Sequence, residues 1–397
     1  MGVEAVMDQF FGYRRDNGDV GIRNYVAIIP SVFCANHVAK MVAKQVANAI
    51  AFPHPCGCGQ HGKDLEQTLR TLVGIGQNAN FGAVLVIGLG CERIHAEDLA
   101  AQIAAAGKPA EFFNIQEIGG TLKSIEYGVR TANRLSQALS ALRREPCDLT
   151  SLKLGLKCGG SDATSGIVSN PALGLATDRI IAAGGTAFLS EINELLGTEN
   201  ILRRRAKTPE IYTEMEQALQ ECEQVLHRLT QGITRTSEQA ALVSPGNFQG
   251  GVSSVSEKAL GGILKSGKSK FDGVLDYAQR PGGRGLFLMK ASSNDCDVVT
   301  SLVAGGAQIV CFVTGVGTPT GFPGVPVLKI TGNSKTFHKM EDDIDINAGA
   351  VIDGQCSMEE MGAQIYQSIL EVCSGAHTKA ETAEHDELFG IGRYECY

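Results

Sequence analysis

The chain has 397 residues, 43% of them hydrophobic and 20% charged, with 35 Lys and Arg against 43 Asp and Glu for a net charge of −8. This ordinary globular composition excludes a disordered or fibrous protein and leaves room for two or three domains. No basic block marks a nucleic-acid footprint, no apolar run reaches the roughly 18 residues of a bilayer span, and the N-terminus lacks a secretory pattern. A soluble, cytoplasmic protein without nucleic-acid or membrane partners is therefore expected.

Through the first 150 residues, short apolar runs alternate with amphipathic stretches. Residues 25–30 (YVAIIP) read as a buried strand, 36–47 as a helix, 49–53 as a second strand and 64–74 as a helix. The run 83–88 (AVLVIG) is the clearest strand, followed by a helix near 96–106, a strand at 111–115 and a long helix over 122–144. Strand, turn and helix repeating at this spacing predict a parallel sheet with helices on both faces. The stretch Arg143-Arg144-Glu145-Pro146 marks a boundary, which divides the chain into domains 1–150 and 151–397. The pattern then restarts with the strand LKLGLKCGG from Leu152, a helix from about Pro171, a strand at 186–189 and a long polar, surface-lying helix over 209–230. Residues 244–285 are rich in Gly, Ser and Lys; short strands follow at 286–289, 308–314 and 325–330, then a closing helix at 358–372 and an acidic, loosely held tail after Gly375. The fold class expected is α/β, with two Rossmann-like parallel-sheet domains carrying helices on both faces.

Glycine and cysteine are in excess, at 48 and 12 residues. Without a secretory signal, these cysteines are packing residues, metal ligands or reactive thiols rather than a disulfide framework. Ligands bind beyond the carboxyl ends of parallel strands, and four cysteines follow strands there: Cys34, Cys58, Cys91 and Cys158. Cys58, Cys91 and Cys158 lie beside glycines that leave little apolar surface to pack against, whereas Cys147, Cys222, Cys296, Cys311, Cys356, Cys373 and Cys396 read as packing residues. Thiolates select iron, zinc or iron–sulfur centres, and no CxxC pair suggests a zinc ribbon. His54 and His61 flank the turn that carries Cys56 and Cys58, so His54 is a candidate ligand or general base.

Other polar residues stand at strand ends. Ser161, Asp162, Ser165 and Asn170 precede a helix that needs one cap, and the surplus favours ligand contacts. Glu191 ends a strand, where a catalytic carboxylate is at home, and Lys258 and Lys265 are either solvated or functional. Gly315–Gly321 has the wrong spacing for a dinucleotide loop, and its Pro319 would break the helix that should open there. In 342–349, a strand-like reading puts Asp343, Asp345 and Asn347 on one face.

Taken together, GYRR at 12–15, VGIRNY at 20–25, Cys34, GCG at 57–59, GLGCE at 88–92, KCGGSD at 157–162, SGIVSNPALG at 165–174, EKALGGILKSGKS at 257–269, GVGTPTG at 315–321 and DIDINAG at 343–349 resemble the altronate/galactarate dehydratase family. The resemblance runs from about residue 12 to 375. It implies an iron-dependent lyase that eliminates water from a sugar acid to give a 2-keto-3-deoxy acid, or, as in a relative, sulfite from sulfolactate. A non-catalytic metal-binding subunit is the contrasting reading. The resemblance further implies iron, as Fe²⁺ or an iron–sulfur cluster, held by Cys34, Cys58, Cys91 and Cys158. Acid–base work falls to His54, Glu191 and Lys258, and substrate contacts to Arg23, Asn24, Lys157, Ser161, Asp162, Asn170, Thr318 and Asn347. Family members carry a small domain of about 90 residues, near the low end of domain sizes, before the GYRR-like motif. A separately encoded small subunit is therefore expected, in a homo-oligomer of the pair. Where the family loop commonly reads TGRGTP, this chain has Val316. Loss of that arginine removes a bidentate carboxylate clamp and favours a mono-acid over a diacid.

Overall fold

The computed structural model describes residues 9–230, 244–252 and 254–394. β1 (Gln9–Arg14) and β2 (Val20–Gly21) form an antiparallel ribbon. The first sheet follows, made of β3 (Tyr25–Pro30), β4 (Ala49–Ala51), β5 (Phe81–Gly88) and β6 (Ala110–Asn114), all parallel in the order β4-β3-β5-β6. β7 (Glu145–Asp148) returns to pair antiparallel with β1. The second sheet contains β8 (Lys153–Cys158), β9 (Thr186–Leu189), β10 (Phe271–Leu275), β11 (Gly285–Met289), β12 (Ile309–Val313), β13 (Val327–Thr331) and β14 (Ile346–Asn347). Its order is β10-β11-β9-β8-β12-β13-β14, again all parallel. The α/β class is as the strand–helix alternation implies.

All eight residues of β5 are buried, as expected of a central parallel strand covered on both faces. Helices Gly62–Gln77 and Asp295–Ala304 pack against each other, and one apolar cluster joins Val84 and Val86 of the first sheet to Val310 and Phe312 of the second. The helices approach so closely at Gly74 that a Cβ there would lie 2.4 Å from the Ala304 carbonyl oxygen. In the second sheet the chain runs outward from β8 through β9 and then crosses to β12 on the other side. The switch point of the topology, where open α/β sheets take ligands, thus lies between the ends of β8 and β12.

Several sequence expectations need correction. The tail is docked rather than loose: Leu388 and Ile391 are buried, Leu388 N–H donates to the Gly321 carbonyl, Gln67 donates to the Gly392 carbonyl and Arg393 pairs with Asp64. Its acidic composition hid this apolar strip. The helix Pro209–Thr230 is not merely surface-lying, because Met215, Ala218, Leu219 and Cys222 enter the core. In 342–349 only Ile346–Asn347 is a strand, and Asp345 accepts N–H bonds from Lys329 and Lys379, a structural role that fixes two chain segments. Strand β10 lies inside the Gly-rich region, where Asp272, Gly273 and an edge position with a register shift disguise it. Cys396 lies outside the described residues.

Candidate active site and thiol rim

Two groups of side chains occupy strand ends. At the end of the second sheet, the buried Glu191 carboxylate bridges two buried lysines. Its Oε1 lies 2.5 Å from Lys157 Nζ and its Oε2 2.8 Å from Lys265 Nζ, while Oε2 also accepts from Cys158 N–H at 3.1 Å. Lys157 Nζ makes further contacts with Asp295 at 2.9 Å and the carbonyls of Cys158 and Ser293. Glu191 holds this position with φ of 71°, a left-handed conformation that costs a non-glycine residue of order 1 kcal/mol. One turn on, Glu194 pairs with Lys258 at 2.8 Å. Asn247 ties Lys258 to the switch-point loop: its Oδ1 accepts from Lys258 and its Nδ2 donates to the Ser161 carbonyl.

Electrostatics separates the two carboxylates. Burial alone would raise Glu191, but Lys157 and Lys265 outweigh it and hold the carboxyl below its ordinary range. For Glu194, burial and the negative charge of Glu191 win over Lys258, Lys157 and Lys265, and the carboxyl is pushed up. Burial pulls on Lys157 in the opposite sense, yet Glu191 and Asp295 keep its ammonium above the usual lysine range. Cys158 is buried beside Ser161 Oγ at 3.0 Å and Asn170 Nδ2 at 3.8 Å, and burial raises its thiol despite Lys265.

The loops after β8 and β12 are joined across the switch point, since the N–H groups of Gly315 and Val316 both donate to the Gly160 carbonyl. Asp162 is fully engaged: Thr164 Oγ1 and Ser165 N–H donate to Oδ1, and Asn333 Nδ2 donates to Oδ2. Thr318 pairs with Thr320, and Asn347 with Ser334, nearer the rim. A cavity of about 490 Å³ opens beside the adjoining β11 end. Its wall carries Ser292 and Asp297, which flank the Ser293–Asp295 turn that holds Lys157.

The second group follows the first sheet. Cys34, Cys58 and Cys91 are all exposed, on loops that are knitted together. Phe33 N–H donates to the Cys56 carbonyl, and Ser31 Oγ donates to Glu92, whose carboxylate also accepts from the N–H groups of Leu89 and Gly90. Gly57, at φ 102°, lies so close that a Cβ would sit 2.6 Å from the Ser31 carbonyl oxygen. Three soft thiols on one rim suit iron chemically. As they stand, no three His, Cys, Asp or Glu side chains among the described residues are gathered around a common ion position. Cys158 ends a strand of the other sheet and lies in the ionic cluster, its N–H on Glu191.

Three further expectations are redirected by the contacts. Arg23 is buried and spent on structure: it forms a bidentate pair with Glu381 at 2.7 and 2.8 Å and donates to the carbonyls of Val372 and Ala376. Asn24 joins Arg15 to the Leu139 carbonyl. His54 is enclosed, its Nε2 on the Pro30 carbonyl and its Nδ1 accepting from Cys56 N–H; burial lowers its pKa to about 4. With both ring nitrogens used, it orders the thiol rim rather than presenting a free base. Sequence reasoning passed over Glu194, Asn193 and Asp295 and left Lys265 open between a solvated and a functional lysine. The alternation of Glu191 and Glu194 at helical spacing beside two lysine-bearing segments was the available signal.

The family model described as D-galactarate/altronate dehydratase, C-terminal, matches residues 149–395, and that of the second domain of D-galactarate dehydratase/altronate hydrolase matches residues 12–140. The (2R)-sulfolactate sulfo-lyase subunit beta of Chromohalobacter salexigens is 37% identical over 97% of this chain and 98% of its own length. The altronate dehydratase of Escherichia coli is 35% identical over 95% of this chain and 76% of its own length. The galactarate dehydratase (L-threo-forming) of Escherichia coli is 36% identical over 92% of this chain and 73% of its own length. Among the described residues no helix is long and apolar enough to cross a membrane. The chain belongs to the D-galactarate/altronate dehydratase family.

Proposed function

We propose that this chain is the large subunit of a lyase that dehydrates a mono-carboxylate sugar acid to a 2-keto-3-deoxy acid. One observation carries the reading: two buried lysines and two buried glutamates, joined by the partly exposed Lys258, near the switch point of a parallel sheet in a chain of this family. Elimination beside a carboxylate builds negative charge on the substrate as the α-proton leaves. The ammonium groups of Lys157, Lys258 and Lys265 supply a positive field where water is scarce and charge acts most strongly. Were Cys34, Cys58 and Cys91 to converge on iron, the ion would supply Lewis-acid chemistry to the substrate; as they stand, the three thiols do not surround one ion position. A small partner subunit completes the enzyme, which works in the cytoplasm as an oligomer of the pair.

Sulfite release from sulfolactate is the second reading, favoured by the 37% identity to a sulfo-lyase subunit over nearly the whole chain. A substrate panel run anaerobically with Fe²⁺ and the small subunit, scoring 2-keto-3-deoxy acid against sulfite, decides between them. Dehydration of an aldonate is the expected outcome. If neither product forms with any acid, the lyase reading falls.

A further inference from the structure

The two buried carboxylates differ in how completely their oxygens are used. Both oxygens of Glu191 are taken, by Lys157 on one side and by Lys265 and Cys158 N–H on the other. In Glu194, Oε1 carries Lys258, but Oε2 is buried without a hydrogen-bond partner among the described residues. Two more acceptors are stranded nearby in the sequence and the fold: Asn193 Oδ1, on the adjacent residue, and Asn170 Oδ1, on the side chain that reaches Cys158. An unsatisfied buried carboxylate oxygen is expensive, so Glu194 Oε2 calls for a specific role. The backbone fixes its position, since Glu194 N–H donates to the Glu191 carbonyl at 2.8 Å. Asn193 is held by its Nδ2 on Ser293 Oγ at 2.8 Å.

We propose that Glu194 is the catalytic base of the elimination, with Oε2 as the atom that receives the α-proton, and that Lys258 is its positioning residue. This rests on the lyase reading above. The substrate Cα–H bond breaks and its proton passes to Oε2; the electron pair forms the Cα–Cβ double bond, and the β-hydroxyl leaves with the Cβ–O pair. The proton from Glu194 leaves with that hydroxide as water, and the enol tautomerises to the 2-keto acid. Glu191 serves as the fixed counter-charge of Lys157 and Lys265, which its saturated oxygens suit and which proton transfer would disrupt.

The groups that set the charge of Glu194 are Glu191, Lys258, Lys157 and Lys265. Lys258 favours the ionised carboxylate, so its removal moves the acid limb of kcat/KM to higher pH.

The test uses the full chain with its partner subunit and iron. In Glu194→Gln, kcat falls about 10²- to 10⁴-fold, the range for loss of a general base. Substrate affinity stays within about threefold, and deuterium wash-in at the α-carbon stops with it; Glu194→Asp recovers part of the rate. Lys258→Met shifts the acid limb upward and Lys258→Arg restores it. If Glu194→Gln keeps kcat within about tenfold, or still exchanges the α-proton at the wild-type rate, Glu194 is not the base. A wild type that turns over no acid sinks the lyase reading and this proposal together, whereas an active wild type with an equally active Glu194→Gln sinks this proposal alone.

Discussion

The two sheets end in opposite ways. The first sheet's rim is wet, with three exposed thiols on glycine-bearing loops that hold one another by backbone and Glu92 hydrogen bonds. The second sheet's rim is dry, with Glu191, Glu194, Lys157 and Lys265 buried and Lys258 at their edge. Exposed thiols remain open to an incoming soft ion and cost little to leave unfilled. Buried charges must be paired within the fold, and removing one leaves its partners stranded. Exposed thiols and buried charges thus stand at the ends of different sheets.

The largest effect belongs to the dry rim. Glu191→Gln removes the carboxylate paired with Lys265 and leaves Lys157 only the partly exposed Asp295, and is expected to cost about 3–5 kcal/mol of stability by urea unfolding. A loss below about 1 kcal/mol would mean that the cluster does not act as a unit.

Next comes His54, the enclosed element of the wet rim. Its folded pKa of about 4 lies below the ordinary 6.5, so the unfolded chain binds more protons between those values. Its contribution is fully present above pH 6.5 and is lost as pH falls toward 4, by up to about 3 kcal/mol. Denaturant titrations across that window should show the acid slope flatten in His54→Asn, and an unchanged slope would remove His54 from the account.

The smallest stability effect is expected at the thiols themselves. Cys58→Ser and Cys91→Ser should change the stability of the metal-free protein by less than about 0.5 kcal/mol. Iron retained after anaerobic desalting, however, should fall to background in both, while Cys147→Ser keeps its iron. Equal iron in Cys91→Ser and Cys147→Ser would break the contrast between the rims.

Periodicity carried the architecture well, because buried parallel strands such as 83–88 and amphipathic helices announce themselves in a window of ten residues. Glycine beside cysteine similarly marked the loops at 58 and 91, whereas Cys34 stands in the glycine-free run SVFCANH. The ionic cluster was less legible, since Lys157, Glu191, Glu194, Lys258 and Lys265 meet only through the order of the strands, which local sequence does not encode. Arg23 shows the converse. Its place in a family-like motif suggested a ligand contact, but the tail folds back with Glu381 to engage it. Long-range burial decided the role of each of these residues.

That returning tail has a mechanical consequence. After Thr378 the chain pairs with Arg23 through Glu381, then passes Gly321 and Thr300 of the second domain before it reaches Gln67 and Asp64 of the first. It works as a clasp fastened at both ends across the seam between the lobes. Any hinge-like opening of the two rims away from each other must first undo it. The spacing between thiols and charges is therefore held twice, by the helix contact and apolar cluster that join the two sheets and by this strap laid over them.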